Sequence, residues 1–487
     1  MQSGQVRNVA AVCGWAVVLV GLLPGLLLQG LDVRLGPALA VQCVVVAHAG
    51  GALARVLTAT TVRLVAFGFW LFTYVWLGLA PLAMLAIDVY PLKYRAGDGA
   101  AFIAAALIEI GLLAYSAGSA LAGRHAKDRS VVLNSVLTRR LAPVPVLLMG
   151  ALVCLLAVVL IPQQGGVGAF FSSREALRDT GAKNGGGGVG NVIGAWALAV
   201  PAFWALLALL HLPRRKAGDK LLRGLRWMLL PLLIALNVVV NNPISRPRFW
   251  VGTVLLTLLF SMSLLRRPRV FRVAAAAVMA TVVLVFPYTD YFRWDEREAV
   301  QVVPVAEQFT TNGDYDAFQQ MQTGIDYTKD SGFSPTRALG PALFMVPRSI
   351  WPDKPQDSGI QLAQFAGYDF HNLSAPLWIE SYMWAGIPSV IVVFLLLGAA
   401  GRRMDDIRSR LRDGQATLAA LLVPAFAVYQ LIFLRGSLMG IVGPLVLLLI
   451  IPFFITSPAA RTTRLPSAVM PAGNTRPVTV SATGGHP

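Results

Sequence analysis

The sequence predicts an all-α polytopic integral membrane protein with about twelve transmembrane helices. Of its 487 residues, 56% are hydrophobic and only 13% are charged, whereas soluble proteins carry about 25% charged residues. The apolar residues also form runs long enough to cross about 30 Å of hydrocarbon as helices. The runs predicted as spans are residues 9–29, 36–55, 64–87, 99–123, 144–162, 191–212, 227–241, 249–264, 271–287, 376–398, 416–434 and 437–455.

The charged residues are distributed unevenly between the two sides of the predicted membrane. The chain has a net charge of +17. With a cytoplasmic N-terminus, the inside loops and adjoining span ends hold 26 Lys and Arg against 5 Asp and Glu. The outside loops hold 15 against 18. Membrane proteins concentrate Lys and Arg on the cytoplasmic side. The basic charge therefore reflects topology, both termini are predicted to be cytoplasmic, and nucleic acid is not expected as a partner.

Two outside segments are long enough to form a cap on the predicted helix bundle. Residues 163–190 join two spans, and the longer segment, residues 288–375, lies between the ninth and tenth predicted helices. Within it, Phe318, Met321 and Ile325 recur at helical spacing. This pattern predicts a short helix that lies on the membrane surface or over a cavity.

The remaining sequence shows no sign of a second folded domain. We see no internal repeat, so residues 1–455 are expected to form a single polytopic membrane domain capped by the two outside segments. Residues 456–487 are rich in Pro, Ser, Thr and Arg. Such a composition buries too little apolar surface to fold, which predicts a disordered cytoplasmic tail.

The sequence contains no recognisable metal or cofactor motif. Its three cysteines fall inside apolar runs, and its five histidines lack metal-ligand spacing. A Walker-type phosphate loop, an HExxH zinc motif and a nucleophile elbow are all missing from the sequence. We therefore expect neither a metal ion nor a nucleotide cofactor.

Cations on the predicted outside face are candidate ligand-binding residues, because the positive-inside bias works against them there. A guanidinium fork can grip two oxygens of one phosphate. Several forks around a cavity would suit a lipid diphosphate, although these side chains could instead form salt bridges with the outside acids. The candidates are Arg174 in SSREALRD, Arg246 and Arg248 in NNPISRPRFW, and Arg337, Arg348 and Lys354 in the long loop.

Two further outside residues are candidate proton acceptors. Glu380, in WIESYMWAG, lies just inside the predicted span that begins near Pro376. A carboxylate there is costly unless it faces a polar cavity or a partner. His371, in DFHNLS, is nine residues earlier and could share or replace its role. Glu109 lies in the middle of a span, where it could tie helices together or couple transport to protons.

Four segments together resemble the Wzy-type O-antigen or oligosaccharide repeat-unit polymerases. In chain order they are NNPISRPRFW, GDYDAFQQ, MVPRSIWPDKPQDSG and HNLSAPLWIESYMWAGIPSVI. The similarity is strongest from about residue 240 to 400. Arg348 and Gly359 have the spacing of the R-x10-G motif described for that family. The loop of Arg246 and Arg248 does not repeat the motif, because Thr257 and Leu259 occupy the corresponding positions.

The resemblance implies a membrane glycosyltransferase that polymerises undecaprenyl-diphosphate-linked oligosaccharides at the outer face of the bacterial cytoplasmic (inner) membrane. A flippase and a chain-length regulator are the implied partners, besides membrane lipid. Glu380 or His371 would be the base toward the acceptor hydroxyl, and Arg348 would act in catalysis by stabilising the charge that develops as the diphosphate leaves. Neither nucleotide nor metal is required. The cations expected to bind the donor diphosphate are Arg174, Arg246, Arg248, Arg337, Arg348 and Lys354.

Three alternatives remain open from the sequence. An O-antigen ligase-like transferase would use the same donor with a different acceptor. A twelve-span transporter could be coupled through Glu109, although many transporters are built from paired repeats and none is visible here. A non-catalytic assembly partner would tolerate the loss of every outside arginine.

Overall fold

A computed structural model of the protein describes residues 2–124, 131–172, 188–213, 220–292, 302–370, 373–411 and 415–458. Side chains are described from residue 9 onward within these ranges, except at residues 131, 188–195 and 290–292. Over the described ranges the chain is helical almost throughout, with one pair of two-residue strands.

The first part of the chain is a series of long apolar helices separated by short connections. Helices α1 and α3 each contain a π-helical stretch, at Val17–Leu22 and Val75–Leu79. Helix α1 begins at Gln2 and ends at Leu28. The helices that follow are α2 (Pro37–Thr58), α3 (Leu64–Ile87), α4 (Ala100–Arg124), α5 (Val131–Leu137), α6 (Pro143–Gln163), α7 (Gly166–Ala169), α8 (Gly188–His211) and α9 (Lys220–Val240).

The second part alternates long apolar helices with the short helices of the cap. These helices are α10 (Arg248–Phe260), α11 (Pro268–Leu284), α12 (Val305–Thr311), α13 (Ala317–Ser331), α14 (Leu339–Ala342), α15 (Ser358–Phe365), α16 (Leu377–Ala385), α17 (Ile387–Ser409), α18 (Leu418–Arg435) and α19 (Leu438–Phe454). Turns of 3₁₀-helix lie at Ser263–Arg266, Phe286–Phe292, Gly313–Tyr315 and Pro335–Ala338. The strands are β1 (Arg140–Leu141) and β2 (Thr456–Ser457).

Eight of the described helices are long and apolar enough to cross a membrane. They are α1 from Val9 onward, α2, α3, α4, α6, α9, α17 and α18. Shorter apolar helices lie at Trp196–His211, Arg248–Phe260 and Leu438–Phe454. The all-α membrane fold class is therefore confirmed, while the count of about twelve spans remains a prediction.

The predicted span at residues 376–398 differs from the structure. Helix α16 ends at Ala385, and a new helix, α17, begins at Ile387 and continues to Ser409. Gly386 separates them with a φ of 72°, a left-handed conformation that glycine adopts without a steric penalty. Pro388 then occupies the first turn of α17, where its missing N–H costs nothing. Glu380 therefore lies on the separate short helix α16 and not inside the start of the helix that is long enough to span, Ile387–Ser409.

The first residues of the predicted tail belong to a strand. Thr456 and Ser457 form β2, which pairs antiparallel with Leu141 and Arg140. Arg139 strengthens this contact by donating from Nε to Thr456 Oγ1 (3.0 Å) and from Nη2 to the Thr456 carbonyl (2.6 Å). Residues 456 and 457 are thus part of the fold, and residues 459–487 lie outside the described part of the chain.

Polar side chains tie α2 to its neighbours inside the bundle. Gln42 donates to the carbonyls of Leu77 and Gly78 (2.7 and 2.8 Å), which lie in the π-helical stretch of α3. His48 Nδ1 lies 2.7 Å from Glu109 Oε1 on α4. These contacts partner groups that are costly to leave unpaired in hydrocarbon. The contact with His48 thus supports the interpretation that Glu109 ties helices together.

Helices α4 and α17 pack with their backbones in contact through glycines. A Cβ atom added at Gly398 would lie 2.1 Å from the Tyr115 carbonyl oxygen, and one added at Gly118 would lie 2.0 Å from the Leu395 carbonyl oxygen. Small residues permit this close approach of membrane helices. Glycines also allow α16 to pack closely against its neighbours. Gly111 on α4 leaves room for Trp378, and Gly324 on α13 leaves room for Ile379.

Gly398→Ala should therefore separate α4 from α17 and destabilise the protein by about 1–3 kcal/mol, the usual cost of overpacking. The measurement is the midpoint of thermal unfolding in detergent. Gly51→Ala, on α2, is the matched control, because a Cβ there would meet nothing within 4 Å. Equal midpoints for the two variants would contradict the proposed close contact.

Candidate functional site

A cavity of about 820 Å³ opens at one end of the helix bundle, beneath the cap. The sequence predicts this end to be extracytoplasmic. The wall is formed by the α9–α10 loop, the turn before α13, the start of α15 and the junction of α18 with α19. The charged lining residues among those described are three arginines and three aspartates, namely Arg246, Arg248, Arg435, Asp314, Asp316 and Asp357.

The α9–α10 loop owes its shape to its asparagines and prolines. Asn242 Oδ1 accepts from the backbone N–H groups of Ile244 (2.9 Å) and Ser245 (3.0 Å), which closes a tight turn. Pro247 disfavours a helical conformation at Arg246, and α10 then begins at Arg248. Arg246 therefore lies on a loop of fixed conformation, and Arg248 lies in the first turn of α10.

Arg246 and Arg248 have different surroundings. Arg246 is buried, its Nε donates to the Val240 carbonyl (2.7 Å), and its guanidinium lies 5.9 Å from the ring centres of Phe170 and Trp196. Arg248 is partly buried, forms an ion pair with Asp314 and lies over the Phe286 ring. The salt-bridge interpretation left open by the sequence thus describes Arg248 well.

The turn from Asn312 to Asp316 is held by a second arginine, Arg435, at the end of α18. Arg435 donates from Nε to the Asp314 carbonyl (3.0 Å) and from Nη2 to the Gly313 carbonyl (3.2 Å). It also forms an ion pair with Asp316 at 2.9 Å. Trp76, from α3, donates to the same Asp314 carbonyl at 3.1 Å. We call this set of contacts, together with the Arg248–Asp314 pair, the arginine–aspartate clamp.

The clamp fixes the cap turn to the helix bundle through side chains that are largely buried. The Asp316 side chain is only 3% exposed and that of Arg435 is 19% exposed. Burial raises the pKa of Asp316 above its ordinary value, and the charge of Arg435 opposes this shift. Removal of one partner would leave the other charge buried without compensation, which is strongly destabilising.

Asp357 and Glu380 lie on the side of the cavity next to α19. Asp357 Oδ1 caps α15 by accepting from the N–H groups of Gly359 (2.8 Å) and Ile360 (3.3 Å). Glu380 does not line the cavity and is only 2% exposed. Its Oε1 accepts from the Leu438 N–H at the start of α19 (3.0 Å). Its Oε2 accepts from the Ser358 hydroxyl (3.0 Å).

Glu380 therefore acts as an anchor between α15, α16 and α19. An acid at a helix N-terminus is favoured by the helix dipole. Burial raises the pKa of Glu380 to about 7, while the hydrogen bond from Leu438 counteracts part of that shift. Of the two surroundings that the sequence left open for Glu380, a polar cavity or a partner, the structure shows partners, and its pKa of about 7 is close to the value suited to a general base.

Three of the predicted diphosphate-binding cations do not line this cavity. Arg337 donates to the Tyr327 hydroxyl at 2.6 Å. Arg348 donates to the carbonyls of Lys354 (2.7 Å) and Pro355 (3.3 Å). Lys354 Nζ donates to the carbonyls of Phe344 (2.7 Å) and Val346 (3.0 Å). Arg348 and Lys354 thus bond to main-chain carbonyls within the segment RSIWPDKP and just before it.

The remaining predicted site residues, Arg174 and His371, lie outside the described residues. Among the described residues, no group of three or more His, Cys, Asp or Glu side chains could hold a metal ion.

Sequence reasoning did not identify Arg435, which is the central cation of the clamp. It directly follows the predicted span at residues 416–434, and it reads there as the flank of an apolar helix. The sequence did contain a signal that could have identified Arg435: the predicted outside connection between the last two spans consists only of Arg435 and Gly436. The positive-inside bias works against a cation at that place.

Comparison of the chain with protein-family models, with curated proteins and with solved structures found no match. The likeness to repeat-unit polymerases therefore remains a hypothesis.

Removal of the clamp cation should cost far more stability than removal of an exposed one. Arg435→Ala leaves the buried Asp316 carboxylate without its counter-charge, with only the Ser374 N–H bonded to it among the described residues, and we expect a loss of about 3 kcal/mol. Arg34→Ala removes the exposed pair with Asp88, whose side chains are 68% and 61% exposed, and should cost less than about 1 kcal/mol. Thermal unfolding in detergent measures both, and similar losses would contradict a buried clamp.

The stability of the protein should depend on the protonation of Glu380. Its folded-state pKa of about 7 lies above the ordinary value of 4.5, so the folded state binds the proton more tightly. The free energy of unfolding should thus fall as pH rises from about 4.5 to 7, by up to about 3 kcal/mol, and level off above pH 7.

Glu380→Gln should reduce this pH dependence, measured as the midpoint of thermal unfolding from pH 5 to 8, while the contribution of Asp316 remains. Asp353→Asn, at an exposed position of the same cap, should keep the wild-type slope. The same slope in Glu380→Gln as in the wild type would assign the effect to another group.

Proposed function

We propose that the protein is a membrane glycosyltransferase that polymerises undecaprenyl-diphosphate-linked oligosaccharide repeat units at the outer face of a bacterial inner membrane. In this proposal about twelve spans cross the membrane, and the large loop between the ninth and tenth lies outside. The observation that carries it is the cavity under the cap, where Arg246, Arg248 and Arg435 converge from three different elements.

The three arginines suit a diphosphate leaving group. Transfer forms a bond between the acceptor hydroxyl oxygen and the anomeric carbon of the donor glycan, and it breaks the bond from that carbon to the diphosphate oxygen. Negative charge therefore develops on the diphosphate as it departs. Fixed guanidinium groups aimed at that charge stabilise the transition state without reorganisation.

The proton of the acceptor hydroxyl requires a base at the cavity wall. We assign this role to Asp357; it is supported by the position of Asp357 in the cavity lining and by the α15 cap, which orients its carboxylate. Glu380 then acts as a positioning residue for Asp357, because it accepts a hydrogen bond from Ser358, the residue that follows Asp357 in the chain. His371 stays a second candidate base.

Arg248→Lys should lower polymer formation at least tenfold, because lysine keeps a charge beside Asp314 but loses the fork that grips two phosphate oxygens. Arg348→Lys is the control and should polymerise normally, since Arg348 is bonded to its own loop. The assay is the polymer ladder formed by purified protein from lipid-linked repeat units. Normal ladders from Arg248→Lys would rule out the diphosphate role.

Asp357→Asn tests the base separately from the fold. Asparagine caps a helix as well as aspartate does, so α15 should stay intact while the rate falls by a factor of about 10²–10⁴. Unchanged thermal unfolding with unchanged polymerisation would remove Asp357 from the mechanism. Glycan transfer to a terminal acceptor in place of a second repeat unit would favour the ligase-like alternative.

A further inference from the structure

A second cavity, of about 370 Å³, lies at the opposite end of the helix bundle, which the sequence predicts to be cytoplasmic. It is bounded by the end of α8, the connection between α10 and α11, and the start of α18. The described residues that line it are His211, Ser261, Ser263, Leu264, Arg266, Arg267, Gln415, Ala416 and Ala420.

The two cavities differ in charge. The cavity under the cap combines three arginines with three aspartates. Among the described residues that line the second cavity, Arg266 and Arg267 are adjacent cations and none is acidic. The Ser263 hydroxyl and the Gln415 amide add hydrogen-bond donors that suit an anion, whereas the Ser261 hydroxyl donates to the Leu258 carbonyl (2.9 Å).

The wall of this cavity is fixed by contacts between helices. His211 ring nitrogens lie 2.8 Å from the Leu207 carbonyl and 3.2 Å from the Ser261 carbonyl, which joins the end of α8 to the end of α10. Pro268 then disfavours helix at Arg267, and Arg267 is extended with φ −78° and ψ 122°. The Arg267 side chain is exposed and lines the cavity.

The surroundings favour a lipid over a free anion. Leu264 lines the cavity and is 48% exposed, and neighbouring Met262 is 51% exposed. Apolar side chains beside a basic pocket offer a surface for acyl chains where the pocket takes the headgroup. Basic pockets between membrane helices on the cytoplasmic side bind anionic lipid headgroups.

We propose that this cavity binds the phosphate headgroup of an anionic glycerophospholipid, with Arg266 and Arg267 facing the phosphate and Met262 and Leu264 against the acyl chains. The site is separate from the cavity under the cap and does not depend on the function proposed for it. Its ligand would come from the surrounding leaflet.

The test is binding of phosphatidylglycerol and of phosphatidylcholine to the full-length protein in detergent, followed by native mass spectrometry. Arg267→Gln should weaken phosphatidylglycerol binding about fivefold, the effect of one cation near a membrane surface. Arg269→Gln is the matched control, because Arg269 is also exposed and lies two residues away but does not line the cavity. Wild-type protein should bind phosphatidylcholine more weakly than phosphatidylglycerol.

Three results would overturn the proposal. Equal weakening by the two substitutions would show a general attraction to surface charge. Unchanged binding in Arg267→Gln, with unfolding midpoints equal to the wild type, would show that the cavity is not the site. Displacement of phosphatidylglycerol by inorganic phosphate at the same molar concentration would identify a free phosphate as the ligand.

Discussion

The pairing of Arg248 and Arg435 with Asp314 and Asp316 is the interaction on which the arrangement of the cap depends. The arginines stand at the ends of α10 and α18, and the aspartates stand on one turn of the cap. Since all four side chains are largely buried, the pairs add little net stability compared with apolar packing. Their contribution is to fix one position of the cap, because any other position leaves charges without partners.

The same arginines also form the wall of the cavity, so the cap and the site share their cations. An anion that enters between Arg248 and Arg435 would have to share them with Asp314 and Asp316. A doubly charged ligand would therefore meet a site whose charge is already balanced by the protein. Binding of such a ligand and the position of the cap turn are linked through the same four side chains, whatever reaction follows.

Much of the fold could be predicted from the sequence, because hydropathy and the distribution of Lys and Arg depend on local composition. Arg248 was recognisable from its place in a short outside loop. The structure adds facts that depend on backbone conformation and on distant partners. The break at Gly386 was missed because hydropathy continues across it, although Gly386 and Pro388 are residues that interrupt helices. The partner of Glu380 is the N–H of Leu438, far along the chain. Arg348 turns back on its own loop, which no composition reveals.

The pairing of β1 with β2 has a consequence for the biosynthesis of the protein. Strand β1 lies at residues 140–141, whereas β2 lies beyond the last apolar helix, at residues 456–457. Arg435, which secures the cap at the other end, is also made late. A ribosome translating this chain therefore makes Arg435 only at the end of α18, and β2 only after α19. A chain that terminates before Arg435 lacks both sets of contacts, and its cap turn keeps only the clamp contacts made by Arg248 and Trp76.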